Sequence, residues 1–450
     1  MATRRPDLTN RFTLRALARF VALGLCALPT LAYATDSPVE STPQTSSNES
    51  AGVHVECTRI DGSTAGGLWA GAPDGRAVDV VTPAGAVKID VDELMQLSFA
   101  KPAEAPSAVW SDPAPDSLVI FHLADGGRLR GRLVQKSGDA LIAETPLGNE
   151  IAMTLDRLAA VQFSSDESSQ RSAELFYKSL AGRLPGRDVL ITKGDDDAKD
   201  LPGRLEALNP TTGTFYFGDR VRSFNRDRVF GIVFAIGPGA VPDFPVTVEL
   251  ADGSAFSGRF LGSQHGVAEF AASLGSEVRI PVASIVHLRF RSPRVVYLSD
   301  IRPVDERTEG RLHRPWSARM DRCVAGGPIS LGGKRFAKGL GVHSRTELDY
   351  DVSGEFTLFV ATIGIDDAAS AHGAVVFRVV GDGRSLFESP LMTRAGGPLT
   401  CRVDVSGVKL LTLEVDYGDA LDLADYADWG GARLLRSGNG STAGASSHDT

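Results

Sequence analysis

From about His54 to Phe290 the sequence repeats itself four times, and this periodicity limits the fold more than any other feature. Each copy carries a Gly-x-apolar triplet: Gly66-Gly67-Leu68, Gly131-Arg132-Leu133, Gly203-Arg204-Leu205 and Gly258-Arg259-Phe260. Between 31 and 33 residues after each of those glycines, a phenylalanine closes an apolar-x-x-apolar-x-Phe signature. The four closing sets are Leu94, Leu97, Phe99; Leu158, Val161, Phe163; Val229, Ile232, Phe234; and Ile285, Leu288, Phe290. Three copies place an Asp-Gly dipeptide just upstream, Asp61-Gly62, Asp125-Gly126 and Asp252-Gly253, the residues a tight hairpin favours. In the third copy the acidic run Asp195-Asp196-Asp197 stands there instead. The stretch Asp195 to Asp200 lacks the alternating ligands and the glycine of a calcium loop, so it reads as a solvated turn. Runs such as Leu118 to Leu123 and Val246 to Leu250 precede the turns, so each copy predicts about five short antiparallel strands.

The predicted units occupy residues 53–100, 116–164, 186–236 and 243–292. Strand, Asp-Gly turn, Gly-x-Leu strand and closing apolar strand together resemble the Sm-like or SH3-like small barrel. No RNA-reading residues accompany that pattern. Closing a small barrel removes exposed edges, and units of this size gain core by packing on one another as repeat arrays do. Pro102, Pro106, Pro113 and Pro115 mark a linker. Ala173 to Ala181 is the helix candidate, with Leu175, Phe176 and Leu180 toward a core.

Gly and Pro total 72 of 450 residues (48 plus 24), which with few long helical patterns points to a mostly β chain of several domains. A net charge of −9 without a basic stripe excludes nucleic acid as the main partner. Residues 1–34 read as a secretory signal: five arginines from Arg4 to Arg19, the apolar stretch Phe20 to Leu31 and the cleavage site Ala32-Tyr33-Ala34. Two other export readings stand beside it. Arg4-Arg5 suits twin-arginine export, although Pro6 and Asp7 follow, and Cys26 suits lipidation, although Leu25 precedes it. The apolar stretch is too short to span a bilayer, so the expected location is secreted, periplasmic or cell-envelope, with no membrane span after cleavage. Residues 35–52 read as a disordered spacer and 437–450 as a disordered tail. Signal removal leaves Cys57, Cys323 and Cys401, enough for one bridge, with Cys323 to Cys401 the expected pair. Their spacing does not resemble a zinc site.

After residue 296 the texture changes to alternating strands: Phe356 to Ile365, Ala374 to Val380, Ser385 to Glu388, Cys401 to Val405 and Lys409 to Val415. Asp382-Gly383 joins two of them as a hairpin. Residues 296–436 therefore predict a two-sheet sandwich. Tyr297-Leu298-Ser299-Asp300, Lys338-Gly339-Leu340-Gly341-Val342-His343-Ser344, Ile363-Gly364-Ile365-Asp366-Asp367, Val375-Val376-Phe377-Arg378-Val379, Asp404-Val405-Ser406-Gly407-Val408 and Asp425-Tyr426-Ala427-Asp428-Trp429 follow one another here. That order resembles the NPCBM family, carbohydrate-binding modules attached to glycoside hydrolases. The resemblance implies a galactose-binding-like jelly roll that grips a terminal sugar, such as galactose, through loops at one end, often with a structural calcium. The sequence departs from the family's Asp-His at Asp425-Tyr426, where tyrosine keeps a ring and a hydroxyl but no titratable nitrogen.

A pyranose offers an apolar C–H face and a rim of hydroxyls, so its site wants an aromatic plate and a few fixed polar groups. Trp316 or Trp429 can supply the plate; His343, Arg345, Tyr426 and Asp428 supply polar groups. Asp366 and Asp367 end a strand, where they either cap a turn or hold calcium. No nucleophile elbow, metal-protease helix or phosphate-cradling loop appears, nor a second domain large enough for a glycosidase cleft. The sequence therefore reads as a noncatalytic glycan-binding protein, with an envelope scaffold that contacts other proteins as the alternative.

Overall fold

The computed structural model describes residues 52–100, 118–163, 170–194, 196–239, 243–310, 315–418 and 424–437. The expected signal, the spacer up to Ala51, the four linker prolines, Asp195 and the tail beyond residue 437 lie outside those residues.

Each of the four repeats forms five antiparallel strands, and in three of them a 3-10 turn, Val91–Glu93, Arg226–Arg228 or Val282–Ser284, enters the fifth. The Asp-Gly dipeptides make the first hairpin: Gly62, Gly126 and Gly253 have φ of 82°, 89° and 84°, where a Cβ is strained. The aspartate of each turn accepts a backbone N–H two residues on, from Ser63, Gly127 and Ser254.

The recurring glycine of the second strand has a packing cause. In the first copy the equivalent position is Gly67 rather than Gly66, around which there is open space; a Cβ on Gly67, Gly131, Gly203 or Gly258 would lie 2.5, 2.5, 2.1 or 2.9 Å from a carbonyl oxygen of the third strand. Two to four residues later each second strand carries a register shift, between Trp69 and Gly71, Leu133 and Gln135, Leu205 and Ala207, and Phe260 and Gly262. A bulge bends a strand and raises its twist. One strand can thereby serve both layers of a five-stranded unit.

The fifth strands join the units, and not in the order of the chain. Leu94–Phe99 of the first unit pairs antiparallel with Ile285–Phe290 of the fourth, placing Leu97 opposite Leu288. Leu158–Gln162 of the second pairs with Val229–Val233 of the third, placing Val161 opposite Ile232. The middle apolar residue of each closing signature thus faces its counterpart. In chain order the outer pair brackets the inner one, and the two meet where Ala255 pairs with Arg128. This differs from the neighbour-on-neighbour stacking of a repeat array. Antiparallel pairing of like strands is self-complementary, so like edges satisfy each other. One apolar core runs through all four units.

The helix spans Gln170–Ala181, three residues longer at its start than its apolar spacing predicts, and covers the inner seam. Phe176 is fully buried against Ala160, Ile191, Phe230 and Val233, with Leu175 and Leu180 partly buried beside it.

The terminal domain is a sandwich of two sheets. One runs Arg319–Met320, Gly339–His343, Tyr426–Arg436, Phe356–Ile365, Leu399–Asp404; the other runs Asp305–Thr308, Thr346–Asp351, Leu410–Tyr417, Ala374–Gly381, Arg384–Glu388. Asp382 and Gly383 both have positive φ, 49° and 77°, as a type I′ hairpin turn requires. Tyr350, Phe359, Ile363, Phe377, Leu413 and Trp429 fill the space between the sheets.

The first repeat docks on this sandwich. Ile60, from its Asp-Gly turn, is buried with Val360 and Leu435. The buried Arg433 guanidinium donates to the Ile60 carbonyl at 2.7 Å, and Arg402 pairs with Asp61 at 2.8 Å. Cys57, Cys323 and Cys401 are all buried free thiols, so the expected Cys323 to Cys401 bridge does not form. Cys401 belongs to the sandwich core, whereas Cys323 lies against Asp366 and Asp428.

Candidate functional site

The strands Gly339–His343 and Tyr426–Arg436 pair in a register that sets His343 opposite Tyr426, Gly341 opposite Asp428 and Leu340 opposite Trp429. Side chains alternate along a strand, so His343, Tyr426 and Asp428 share one face while Leu340 and Trp429 share the other. The inner face belongs to the core. Trp429 is fully buried, 4.9 Å from Phe377 and 5.9 Å from Phe359 between ring centroids, each edge to face. It cannot be a sugar platform. The expectation that placed it at the site is corrected by strand parity.

On the outer face three rings meet. Trp316 stacks on His343, with centroids 5.5 Å apart and planes 18° apart, and lies 5.7 Å from Tyr426. The imidazole and phenol centroids are 6.0 Å apart. Trp316 and Tyr426 keep part of their surface in solvent, while His343 is buried beneath them. His343 Nδ1 lies 2.8 Å from the Ser344 carbonyl oxygen, which can only accept, so that nitrogen carries a proton. In the neutral ring this leaves Nε2 as an acceptor.

The backbone behind the imidazole is fixed from two sides. Thr346 Oγ1 donates to the His343 carbonyl at 2.6 Å, and Ser344 Oγ donates to the buried Asp425, whose other oxygen accepts the Ala374 N–H at 2.9 Å. Ser344 and Asp425 were not singled out as site residues by the sequence. Both lie inside motifs of the resemblance, and only the fold shows that they meet.

Arg345 does not join the rings. Its guanidinium is held by Glu347 at 3.1 Å and Glu414 at 3.8 Å, beside Arg378, which binds Glu414 and Asp416. These charges form a ladder over the second sheet, where exposed pairs contribute little individually. The placement of Arg345 at the sugar rim is therefore corrected: one residue past Ser344 the chain has already entered the other sheet's ion-pair network.

Asp428 lies on the outer face but is covered. The turn from Asp321 to Gly327 crosses it, and Gly341 makes room: a Cβ there would stand 2.2 Å from the Arg322 carbonyl oxygen and 2.7 Å from the Val324 nitrogen. Asp428 is fully buried, and neither of its oxygens meets a hydrogen-bond donor among the described residues. Against it stand the Asp366 carboxylate and the Cys323 thiol. Burial, and then the close approach of the Asp366 carboxylate and its charge, push the Asp428 carboxyl up to about 10. Burial likewise pushes the Cys323 thiol up to about 12. Asp428 thus cannot reach a sugar, and its assignment as a contact is corrected. Gly341→Ala should cost about 1–3 kcal/mol by lifting the covering turn, measured by denaturant unfolding.

Asp366 and Asp367 do not converge on one ion. Asp367 accepts from Ser330 Oγ at 2.6 Å and from the Gly333 and Gly332 N–H groups at 2.8 and 3.0 Å, a clamp on the Leu331 turn that holds its carboxyl below the usual range. Asp366 accepts from the Ser330 and Ala368 backbones and turns toward Cys323 and Asp428. Calcium takes oxygen ligands only. These residues do not fit the calcium that the resemblance implies, because Asp367 is engaged and the third group facing Asp366 is a sulfur.

Two curated proteins align with about a quarter of this chain. An Akkermansia muciniphila alpha-1,3-galactosidase B is 32% identical over 115 residues, 25% of this chain and 14% of that protein. A Renibacterium salmoninarum protein, provisionally named an endo-alpha-N-acetylgalactosaminidase, is 38% identical over 110 residues, 24% of this chain and 7% of that protein. This chain thus spans a small part of either relative. Among solved structures, the CBM51 module of Clostridium perfringens GH95 in complex with methyl-galactose aligns at 26% identity over 31% of this chain and 99% of that one, with a TM-score of 0.29. No helix among the described residues is long and apolar enough to cross a membrane. The segment that carries the ring cluster, residues 294–435, matches the NPCBM/NEW2 domain family.

Proposed function

We propose that this is an exported, noncatalytic glycan-binding protein in which Trp316 and Tyr426 form the stacking surface and His343 the buried support beneath it. The convergence of these three rings over the outer face of one strand pair, in a segment that matches the NPCBM/NEW2 domain, carries the reading. An indole or phenol face matches the C–H face of a pyranose, and such stacking is worth about 0.5–1.5 kcal/mol beyond area burial for aromatic pairs. The ligand class is a glycan with a terminal galactose or N-acetylgalactosamine, in keeping with the names of the two curated relatives. The four repeats serve as spacer or docking platform. The basic start of the chain and its small-x-small site support export to the periplasm, the cell envelope or the exterior.

Titration calorimetry of the full chain with galactose- and N-acetylgalactosamine-terminated oligosaccharides tests this. Trp316→Ala should weaken binding by at least about tenfold, the equivalent of 1.4 kcal/mol, with the unfolding midpoint little changed. Unaltered affinity in that variant, or no heat from either sugar in the wild type, would remove the proposal. A second reading, an envelope scaffold whose sandwich contacts proteins, draws support from Arg345 and Asp428 being engaged or covered, which leaves the rim few hydrogen-bonding groups. Flat titrations alongside a reproducible protein partner would favour it.

A further inference from the structure

Beside the ring cluster, two residues along the same strand, lies a group of side chains that sugar binding does not use. The Cys323 sulfur and carboxylate oxygens of Asp366 and Asp428 all lie within 4.8 Å of one another, and all three residues are buried. Sequence spacing gave no hint of this, because the three come from distant segments joined only by the fold. A buried carboxyl normally has hydrogen-bond partners, yet neither oxygen of Asp428 has one among the described residues, and one of the two lies in this group. Asp366, by contrast, is held in place: the Ser330 N–H donates to one of its oxygens at 3.0 Å and the Ala368 N–H to the other at 2.8 Å, and one of these oxygens lies in the group.

We propose that Cys323, Asp366 and Asp428 form a buried zinc-type metal site that fastens the Asp321–Gly327 turn to the sheet. One thiolate and two carboxylates suit a borderline-soft divalent ion, and they leave one tetrahedral position for water. Sulfur rules out a calcium cage. Zinc ligand lengths bring donor atoms to roughly 3.3–3.8 Å from each other, so side-chain rotations of about 1 Å close the site. Backbone hydrogen bonds to Asp366 then act as the outer support that such sites use. The same turn continues from the Trp316 segment through Arg319–Met320, so the ion would steady the strand that leads to the rim.

The full chain, stripped with a chelator and then freed of it, is titrated with Co²⁺. The expected result is one equivalent per chain, a sulfur-to-cobalt charge-transfer band in the near ultraviolet, and displacement by Zn²⁺. Cys323→Ser should abolish the band, whereas Cys57→Ser, in the repeat core, should keep it. Asp428→Asn, close to the native shape, should weaken the metal by at least about tenfold while circular dichroism reports an unchanged fold. A folded wild type without the band, or a band that survives Cys323→Ser, would overturn the assignment. This outcome is independent of whether the rim binds sugar.

Discussion

Trp429→Ala should remove about 3–5 kcal/mol of stability and still leave sugar affinity intact at a temperature where the variant remains folded. The indole is enclosed between Phe359 and Phe377, so truncation opens a void that the two sheets cannot collapse to fill. Trp316→Ala should do the reverse, costing little stability and most of the affinity. Denaturant unfolding and calorimetry on both variants separate the roles. A folded Trp429→Ala protein that no longer binds the sugar would place the indole in recognition after all.

In chelator-treated protein, Asp428→Asn should gain stability relative to wild type as pH rises. Burial raises the folded Asp428 carboxyl to about 10 from an ordinary value of 3.8. Between those values the folded state holds a proton that the unfolded state has released, so wild-type stability declines with increasing pH, on the order of 1 kcal/mol per unit. Asparagine keeps the shape and has no such slope. Thermal unfolding from pH 5 to 8 should therefore show the advantage of the asparagine protein growing toward the alkaline end. Parallel curves would mean that Asp428 is solvated or ionised in the native fold.

The fold was legible wherever a local rule decided it. Asp-Gly turns, the Gly-x-apolar triplets and the closing signatures name the five-stranded units, because each follows from backbone geometry within a few residues. The Asp382-Gly383 hairpin was legible for the same reason. Which unit pairs with which was not, since the four closing strands are alike and nothing local separates a nested arrangement from a linear one. At the site, Trp316, His343 and Tyr426 were identified and do converge. The error on Trp429 was one of parity: Asp428 and Trp429 are adjacent in the chain and so face opposite sides of the sheet. Arg345 was misplaced because residue type suggests a role while partners assign it, whereas of the two readings open for Asp366 and Asp367 their backbone partners fit the turn cap. Cys323 had no spacing signal at all, and it reaches Asp428 only because Gly341 carries no side chain.

The seat of Ile60 on Val360 and Leu435, with Arg433 bonded to the Ile60 carbonyl, means that the sandwich is not a bead on a string. Cut free, it would bare an oily patch at Val360 and Leu435 and leave the Arg433 guanidinium only its Gly431 carbonyl among these two acceptors. Held as it is, the first repeat lids that patch, so the solubility of the sandwich depends on its neighbour.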